Sequence, residues 1–356
     1  MSSTIDSGTP AAAPTGGPAH KREAPRGVAI LLALIKRFLI AREGSIVVVT
    51  VLLTVYFIAT LSSAFTGTEN IQALLPYFAP FAILAVGEVF LMINGEIDLS
   101  IGGVYLFAPY LYYELAQGHV PLLLAVLISW LACVLIGLVN GLITTIVGIS
   151  SFITTLGTLF TLEGFTLIIS HAEQVTAPGS QLAGSATSNS LSSFASVFGA
   201  GTYSELIWAL IIVAIMHVVL TQTSWGTHTI AVGSNKLGAA EAGVRVRWVV
   251  IRNFMVCSTL AGIVGILEAI RTSSITPDPS GAGVLTLSAI ACAVIGGAGT
   301  VIGALIGALF LGILQDALAI KGVNADYLDF YLGLAILLAM AINTYVGRVR
   351  KGSGLG

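Results

Sequence analysis

The sequence predicts an all-α integral membrane protein with about ten transmembrane helices and with both termini in the cytoplasm. Hydrophobic residues make up 56% of the 356 residues and charged residues only 9%. Soluble domains carry roughly 25% charged residues to cover their surface, so a chain this poor in charge must face lipid. Apolar runs of about 20 residues, the length that crosses the hydrocarbon core of a bilayer, recur along most of the chain.

The apolar runs lie within residues 46–346 and define a membrane domain. The eighth run is the shortest, at about 13 residues, and could form a broken or re-entrant element instead of a full span. In chain order the predicted spans are Ile46–Phe65, Ile71–Ile93, Leu99–Ala116, Pro121–Val147, Ile149–Ser170, Glu205–Gln222, Ile251–Arg271, Leu285–Gly297, Thr300–Ala319 and Leu328–Val346.

The segments that flank the membrane domain are polar or short. Residues 1–27 are rich in Ser, Thr, Ala, Pro and Gly and are predicted to form a disordered cytoplasmic tail. In residues 28–42, Lys36 and Arg37 interrupt a short apolar stretch, which favours a segment that lies at the membrane surface. A signal peptide is the alternative interpretation of this stretch. Residues 347–356 are predicted to be a second cytoplasmic tail.

Three clusters of Lys and Arg determine the predicted orientation, because these residues resist translocation and collect on the cytoplasmic side. Six predicted spans separate the first cluster from the second, and four separate the second from the third. Both numbers are even, so all three clusters can be cytoplasmic, and the polar loop His171–Tyr203 is then external. The clusters are Lys21, Arg22, Arg26, Lys36, Arg37 and Arg42; Lys236, Arg245, Arg247 and Arg252, in or at the end of loop 223–250; and Arg348, Arg350 and Lys351.

Several functions are excluded or disfavoured by what the sequence lacks. It contains no Gly-x-x-x-x-Gly-Lys-Ser/Thr phosphate loop, so the chain is not expected to hydrolyse a nucleotide by itself. A net charge of -2, without a basic stripe outside the N-terminal tail, disfavours binding to nucleic acid. Cys133, Cys257 and Cys292 are isolated within apolar runs, which indicates small core residues and neither a disulfide framework nor a metal site. No cofactor is predicted.

Carboxylates within the predicted spans are candidates for function. A carboxylate at that depth costs at least about 2.5 kcal/mol unless it is protonated or faces a wet cavity. Glu268 and Asp316 lie near the external ends of their spans and are interpreted as side chains that reach the headgroups. Glu163 and Glu88 lie deeper, and for Glu88 a place on a translocation path and a structural role remain equally open.

The densest polar cluster between two apolar runs is Asn94–Ser100. Asp98 can cap the helix that follows by accepting hydrogen bonds from free backbone N–H groups. Alternatively, a helix N-terminus at membrane depth presents its donors to a polar solute. The predicted candidates for the translocation path are Glu88, Asn94, Asp98, Ser100 and Asn140.

Two glycine repeats predict close helix packing. Gly137 and Gly141 are four residues apart, as are Gly299, Gly303 and Gly307. Small residues at this spacing form one smooth stripe on a helix and let a second helix approach closely.

The basic loop contains a segment, Ala231–Val244, that is rich in small residues, opens with turn formers and ends near Gly243. This composition predicts a short helix in the cytoplasm that could dock into a groove on a soluble partner. A solvated connector is the alternative interpretation.

Several of these segments together resemble one family, the permease subunits of bacterial ABC importers for ribose, xylose, arabinose and related sugars. The similarity follows the family's order from about residue 60 to residue 346. The matching segments are Gly95–Ser100, similar to Gly-Gly-Ile-Asp-Leu-Ser; Val139–Leu142; Phe152–Thr158; Ala231–Asn235 with Gly238-Ala239 and Ala242–Val244; and Ala289–Ala291 with Val294–Gly297.

The resemblance implies a permease in the bacterial inner membrane with several partners. These are cytoplasmic ATPase subunits, a second permease expected to be another copy of this chain, and a periplasmic substrate-binding protein. It also implies that the segment Gly233–Val244 is the element through which the ATPase acts. The coupling residues are then Gly233, Asn235, Gly238, Ala239, Gly243 and Val244.

This sequence departs from the family pattern at Glu96, where a glycine is expected, and at Ser150-Ser151, where prolines are frequent. It is also about six residues shorter after Gly297, which removes a basic residue from a turn.

Two other functions are considered. One is a secondary transporter coupled to protons through Glu88 or Glu163, and the other is an intramembrane enzyme, for which no nucleophile and base pair is found.

Overall fold

The computed structural model describes residues 43–180, 193–297 and 299–352. The predicted tail over residues 1–27, the interfacial segment 28–42 and the last residues of the C-terminal tail lie outside this range. The helices longer than one turn, apart from two π-helical turns, are α1 Gly44–Leu61, α2 Thr68–Ile93, α3 Ile101–Gln117, α4 Leu122–Leu142, α5 Ser151–Ile169, α6 Ser204–Gln222, α7 Ser224–Ser234, α8 Lys236–Glu241, α9 Val246–Thr272, α10 Pro279–Ile295, α11 Val301–Ile320 and α12 Ala325–Gly352.

The all-α membrane class is confirmed. A helix lies in each of the ten predicted apolar runs, and the described residues contain no named strand. Within the described part of the chain, seven helices are long and apolar enough to cross a membrane: α1, α2, α4 with its π-helical extension to Val147, α5, α6, α9 and α11. The helices α3 and α10 have 17 residues each, and the apolar stretch of α12 is Phe330–Ala341. The number of ten spans therefore remains a prediction.

The eighth predicted run forms an unbroken helix that begins earlier than its apolar residues do. Helix α10 starts at Pro279, and the Asp278 side chain accepts a hydrogen bond from the Ser280 backbone N–H at 3.1 Å. Proline is favoured in the first turn of a helix, because its missing N–H would have no intrahelical partner there. The predicted start at Leu285 was too late in the chain, because the first turn of the helix contains Pro, Ser and Gly in place of large apolar residues.

Burial divides the spans into inner and outer helices. In α2, α9 and α11, 83%, 78% and 72% of the membrane-spanning window is buried, whereas in α4 and α5 the values are 28% and 22%. The outer face of α4 exposes Leu131, Leu135 and Val139, each by half or more. Apolar side chains that face outward in this way are suited to lipid. The three cysteines are buried in the core, as predicted.

The first glycine stripe brings α4 into backbone contact with α9, as predicted. A Cβ atom added to Gly137 would lie 2.6 Å from Met255 Cα, and one added to Gly141 would lie 2.8 Å from Ile251 Cα. Neither distance is tolerable, so only glycine permits this approach.

The second stripe is confirmed for two of its three members. A Cβ atom on Gly307 would lie 3.2 Å from Cys292 Cα, and one on Gly303 would lie 2.8 Å from the carbonyl carbon of Gly296, so α11 packs closely on α10 and the turn after it. The prediction is wrong for Gly299, which lies in the turn before α11. Its φ of 121° is a conformation that glycine adopts readily.

Candidate functional site

The segment predicted to couple the permease to an ATPase consists of the end of α7 and the whole of α8. Asn235 separates the two helices with extended backbone angles, and its Oδ1 accepts a hydrogen bond from the Gly238 N–H at 3.0 Å. At the other end Gly243 has a φ of 83°, and the Val244 N–H donates to the Ala239 carbonyl at 2.9 Å. These bonds satisfy backbone groups at both ends of the short helix. The predicted short helix is therefore confirmed.

The surface of α8 combines small residues with one large apolar side chain. Leu237 is 78% exposed, whereas Ala239, two residues later, is 6% exposed. The nearest atom to a Cβ on Gly238 would belong to the Asn235 side chain, at 3.1 Å. The helix thus presents one exposed apolar side chain, with the exposed charged residues Lys236 and Glu241 at its two ends. An exposed leucine of this kind is suited to insertion into a pocket of another protein.

Helix α7 is fixed to the end of α2. A Cβ atom on Gly233 would overlap the carbonyl oxygen of Ile93, so the backbones of the two helices touch. The Asn94 amide, just after α2, donates to the Thr229 carbonyl at 2.8 Å. A movement of α7 must therefore displace the C-terminal end of α2 or break this contact.

Asn253 of α9 connects the same elements and was missed by the sequence analysis. Its Nδ2 donates to Asn94 Oδ1 at 2.6 Å and to the Phe90 carbonyl at 3.1 Å, while its Oδ1 accepts from Trp225 Nε1 at 2.8 Å. Asn253 is fully buried. An asparagine inside an apolar run was a usable signal, because an amide buried there without partners costs several kcal/mol.

The polar turn between α2 and α3 is organised by Asp98. Its Oδ1 accepts hydrogen bonds from the Ser100 backbone N–H at 2.8 Å and from the Ser100 hydroxyl at 2.5 Å, immediately before α3 begins. The Asp98 N–H in turn points at Glu88 Oε2, 3.4 Å away. Asp98 thus forms an Asx turn just before α3. It accepts no hydrogen bond from the first turn of that helix, so the prediction that Asp98 caps α3 is wrong.

A chain of side-chain hydrogen bonds continues from this turn to α4 and α5. The Asn140 amide donates to the Ser100 hydroxyl at 2.9 Å, and Asn140 Oδ1 accepts from the Thr158 hydroxyl at 2.6 Å. Four of the five path candidates, Glu88, Asp98, Ser100 and Asn140, therefore form one cluster, and Asn94 belongs to the neighbouring network around Asn253.

All five candidates for the translocation path are buried, with exposed fractions of at most 2%. In this conformation they join helices and do not line the cavity described below. Their proposed contact with solute therefore remains a prediction, and it requires the helices to separate.

Glu96, one of the residues at which the sequence departs from the resembled family, contacts α8. Lys236 Nζ lies 3.0 Å from Glu96 Oε1, and the two side chains are 53% and 15% exposed. The polar turn and α8 are thus joined by an ion pair across 140 residues of sequence.

The remaining intramembrane carboxylates differ from one another. Asp316 is 2% exposed and accepts a hydrogen bond from the Asn70 amide at 2.9 Å, so its interpretation as a side chain that reaches the headgroups was wrong. Glu268 is partly exposed near the end of α9 and forms a paired contact with Arg271. Their i and i+3 positions on one helix could have revealed this pair in the sequence.

A cavity of about 450 Å³ lies between α3, α9 and α10. Glu268 and Thr272, which line it, are at the opposite end of α9 from the coupling segment. Because an α-helix rises 1.5 Å per residue, the 27 residues of α9 separate the two sites by roughly 30–40 Å. The cavity and the coupling segment therefore lie near opposite ends of the membrane domain.

Comparison with known proteins identifies the family. The profile described as branched-chain amino acid transport system / permease component matches residues 70–340. The xylose/arabinose import permease protein XylH of Sulfolobus acidocaldarius is 34% identical over 335 residues, which cover 89% of this chain and 88% of that protein. The ribose import permease protein RbsC of Haemophilus influenzae is 29% identical, with coverage of 88% and 96%.

The D-allose transport system permease protein AlsC of Escherichia coli is 28% identical, with coverage of 80% of this chain and 86% of that protein. No solved structure gives a significant match. The family profile spans well over half of the chain, and XylH aligns over nearly all of it at more than 30% identity. The protein therefore belongs to the family of transport-system permease components.

Proposed function

We propose that this protein is the membrane-spanning permease subunit of an ATP-binding-cassette importer, which passes a monosaccharide or related polyol to the cytoplasm. The relatives that align over most of the chain are named as xylose/arabinose, ribose and D-allose permeases. The observation that carries the proposal is α8, a capped helix of six residues whose Leu237 projects from the protein. Such a helix gives a separate ATPase a rigid point of attachment.

The proposed topology has ten spans in a plasma (inner) membrane. The spans are the seven long apolar helices together with α3, α10 and α12. With this number, the Lys and Arg clusters before α1, around loop 223–250 and after residue 346 all lie in the cytoplasm, as the positive-inside rule requires. Residues 1–27 and 347–356 are then cytoplasmic tails, residues 28–42 lie at the membrane surface, and residues 46–346 form the permease domain.

The contact that couples the permease to the ATPase is assigned to Gly233–Val244, where the ATPase would bind Leu237 and the small residues around it. Gly233, Asn235, Gly238, Ala239, Gly243 and Val244 shape the segment by close approach, capping or small size. The other partners are a second copy of the permease, an external substrate-binding protein and the surrounding lipid.

Transport would open the buried cluster around Asp98. Separation of α3 from α4 and α9 breaks the short chain of hydrogen bonds through Ser100 and Asn140 and exposes their donors and acceptors to a passing solute. A hydroxylated solute can replace these bonds, whereas an apolar one cannot. In this proposal the cluster closes the path in one state and contacts solute in the other.

The family description also includes branched-chain amino acids, which are a competing solute class. A zwitterion needs a cation for its carboxylate and an apolar pocket for its side chain. Arg271 lies beside the cavity between α3, α9 and α10, but its guanidinium is already held by Glu268 and Glu205. Sugars are therefore the better match to the side chains available there.

The test is a substitution of the projecting leucine. We expect Leu237→Glu to reduce copurification of the ATPase about 30-fold, because loss of a central anchor at an interface costs about 2 kcal/mol. Leu237→Ala should give a smaller loss. Since Leu237 is 78% exposed, the amount of folded permease in the membrane should not change. Retention of the ATPase by Leu237→Glu would contradict the coupling assignment.

Thr227→Glu is the matched control. It adds the same charge to an exposed site in the first turn of α7, where the helix dipole tolerates a negative group.

A proton-coupled carrier that uses Glu88 or Glu163 is the alternative to the importer. Uptake that stops on addition of an uncoupler while cytoplasmic ATP is held constant would favour that carrier over the importer.

A further inference from the structure

The cavity between α3, α9 and α10 has a rigid rim. The loop that follows α9 pairs with Val175 through two backbone hydrogen bonds at Ile275, of 2.8 and 3.0 Å. The Tyr110 hydroxyl donates to the same Ile275 carbonyl at 3.1 Å. Because these hydrogen bonds hold the rim in place at Ile275, the cavity has a defined shape.

Six of the fourteen residues that line the cavity carry side-chain oxygen atoms, and the other eight are apolar residues or glycines. Hydroxyl groups come from Tyr105 on α3, from Thr272 on α9 and from the loop after it. One carboxylate comes from the last turn of α9 and the other from the residue just before α10. A volume of about 450 Å³ falls in the range of small-molecule sites, which is roughly 300–1,000 Å³. The polar lining residues are Tyr105, Glu268, Thr272, Ser274, Thr276 and Asp278.

Next to the cavity, two carboxylates share one guanidinium. Arg271 is paired with both oxygens of Glu268, and its Nε lies 3.4 Å from Glu205 Oε1. The Glu205 side chain is 6% exposed, and neither of its oxygens has a hydrogen-bond partner among the described residues. Asp278, which also lines the cavity, accepts from the Ser280 N–H and is not paired with Arg271. The three carboxylates in and beside the cavity therefore outnumber its one guanidinium, and the region carries a formal negative charge.

We infer that this cavity is an entry site for neutral, hydroxyl-rich solutes and that its charge excludes anionic ones. Carboxylate and hydroxyl oxygens accept hydrogen bonds from solute hydroxyls, whereas a carboxylate or phosphate on the solute meets like charge and loses the same bonds. The inference rests on the proposed function, which supplies the direction of transport and places this end of α9 outside the cell. It adds the site, and it adds discrimination against sugar acids and sugar phosphates.

The test is protection of an introduced cysteine from a cationic, membrane-impermeant methanethiosulfonate reagent. Thr276→Cys places a thiol on the exposed rim, and Thr272→Cys provides a second position if the first variant is not produced. The three native cysteines are buried and should react slowly. The control is Thr202→Cys, an exposed site on the same proposed side that does not line the cavity. Right-side-out vesicles carry the full-length permease with its partners, and D-xylose, D-xylonate and L-valine are the added solutes.

D-xylose at about ten times its dissociation constant should slow modification of Thr276→Cys about tenfold, because only unoccupied sites react. It should leave Thr202→Cys unaffected, and D-xylonate or L-valine at the same concentration should protect neither site. Equal protection by D-xylonate would overturn the exclusion of anions, and protection by L-valine alone would overturn the solute class. ATP-dependent uptake measured in the same vesicles tests the proposed function separately. If uptake persists while none of the solutes protects the rim, the entry site is refuted and the importer assignment stands.

Discussion

Replacement of Asn253 by alanine should destabilise the permease by about 2–3 kcal/mol. The side chain makes three hydrogen bonds of 3.1 Å or less, to Asn94, to the Phe90 carbonyl and from Trp225. Hydrogen bonds between membrane helices contribute about 0.6–1 kcal/mol each, which gives the total. Asn94 is 2% exposed, so water cannot readily replace the lost partner.

The assay is unfolding of the purified full-length permease in mixed micelles by increasing SDS, followed by circular dichroism. Trp225→Phe is the matched variant, because it removes only one of the three bonds and keeps an aromatic ring. We expect it to cost about 0.6–1 kcal/mol. In the double variant with Asn253→Ala, this cost should largely disappear, since the shared bond is already absent.

Two results would refute the reasoning. The first is a free energy of unfolding for Asn253→Ala within about 0.5 kcal/mol of the wild-type value. The hydrogen bonds around this amide would then contribute little beyond those available in the unfolded state in the membrane. If the effects of Asn253→Ala and Trp225→Phe are fully additive, the two side chains act independently and the observed geometry has no energetic counterpart.

Three further predictions concern other contacts. Glu96→Lys or Lys236→Glu alone should lower transport-stimulated ATPase activity about twofold and the double exchange should restore it, because an exposed ion pair is worth up to about 1 kcal/mol. Gly137→Ala should cost about 1–3 kcal/mol in the SDS assay, because its Cβ has no room against α9, whereas Gly157→Ala, with open space around it, should be neutral or stabilising. Asn140→Ala removes two side-chain hydrogen bonds and should cost about 1–2 kcal/mol in the same assay.

Features that depend on local sequence could be predicted. For the residues that the structure describes, the apolar runs gave the position of each long helix, because the length of an apolar segment is fixed by the thickness of the bilayer. Asn235 and Gly243 marked the ends of α8, since capping and a left-handed backbone depend on the residue at that position. The stripe of Gly137 and Gly141 predicted backbone contact correctly, although not which helix would fill it.

Features that depend on distant partners could not be predicted in the same way. The bond between Asn253 and Asn94 joins residues 159 positions apart, and that between Asp316 and Asn70 joins residues 246 apart. A polar residue in an apolar run signals only that some partner is needed. For Asp316 the sequence analysis chose the membrane surface as that partner, whereas the fold supplies a buried amide.

The cavity and the coupling segment are connected by a single helix, and this limits how the two ends can communicate. Helix α9 begins at Val246, directly after the coupling segment, and continues without proline to Thr272. Its backbone is in close contact with α4 near Gly137 and with α3 at Gly265, where a Cβ atom would overlap the Tyr105 carbonyl. Sharp bends in helices occur at proline, at Gly/Ser pairs, at a π-bulge or at an inserted group. Gly262 and Gly265 of α9 are packed against Cys133 of α4 and the Tyr105 carbonyl of α3, which leaves little room for a bend there. A force applied to α8 is therefore expected to tilt or rotate α9 as a rigid body. A displacement of α9 near Asn253 then alters the spacing between α3 and α10 at the other end of the helix.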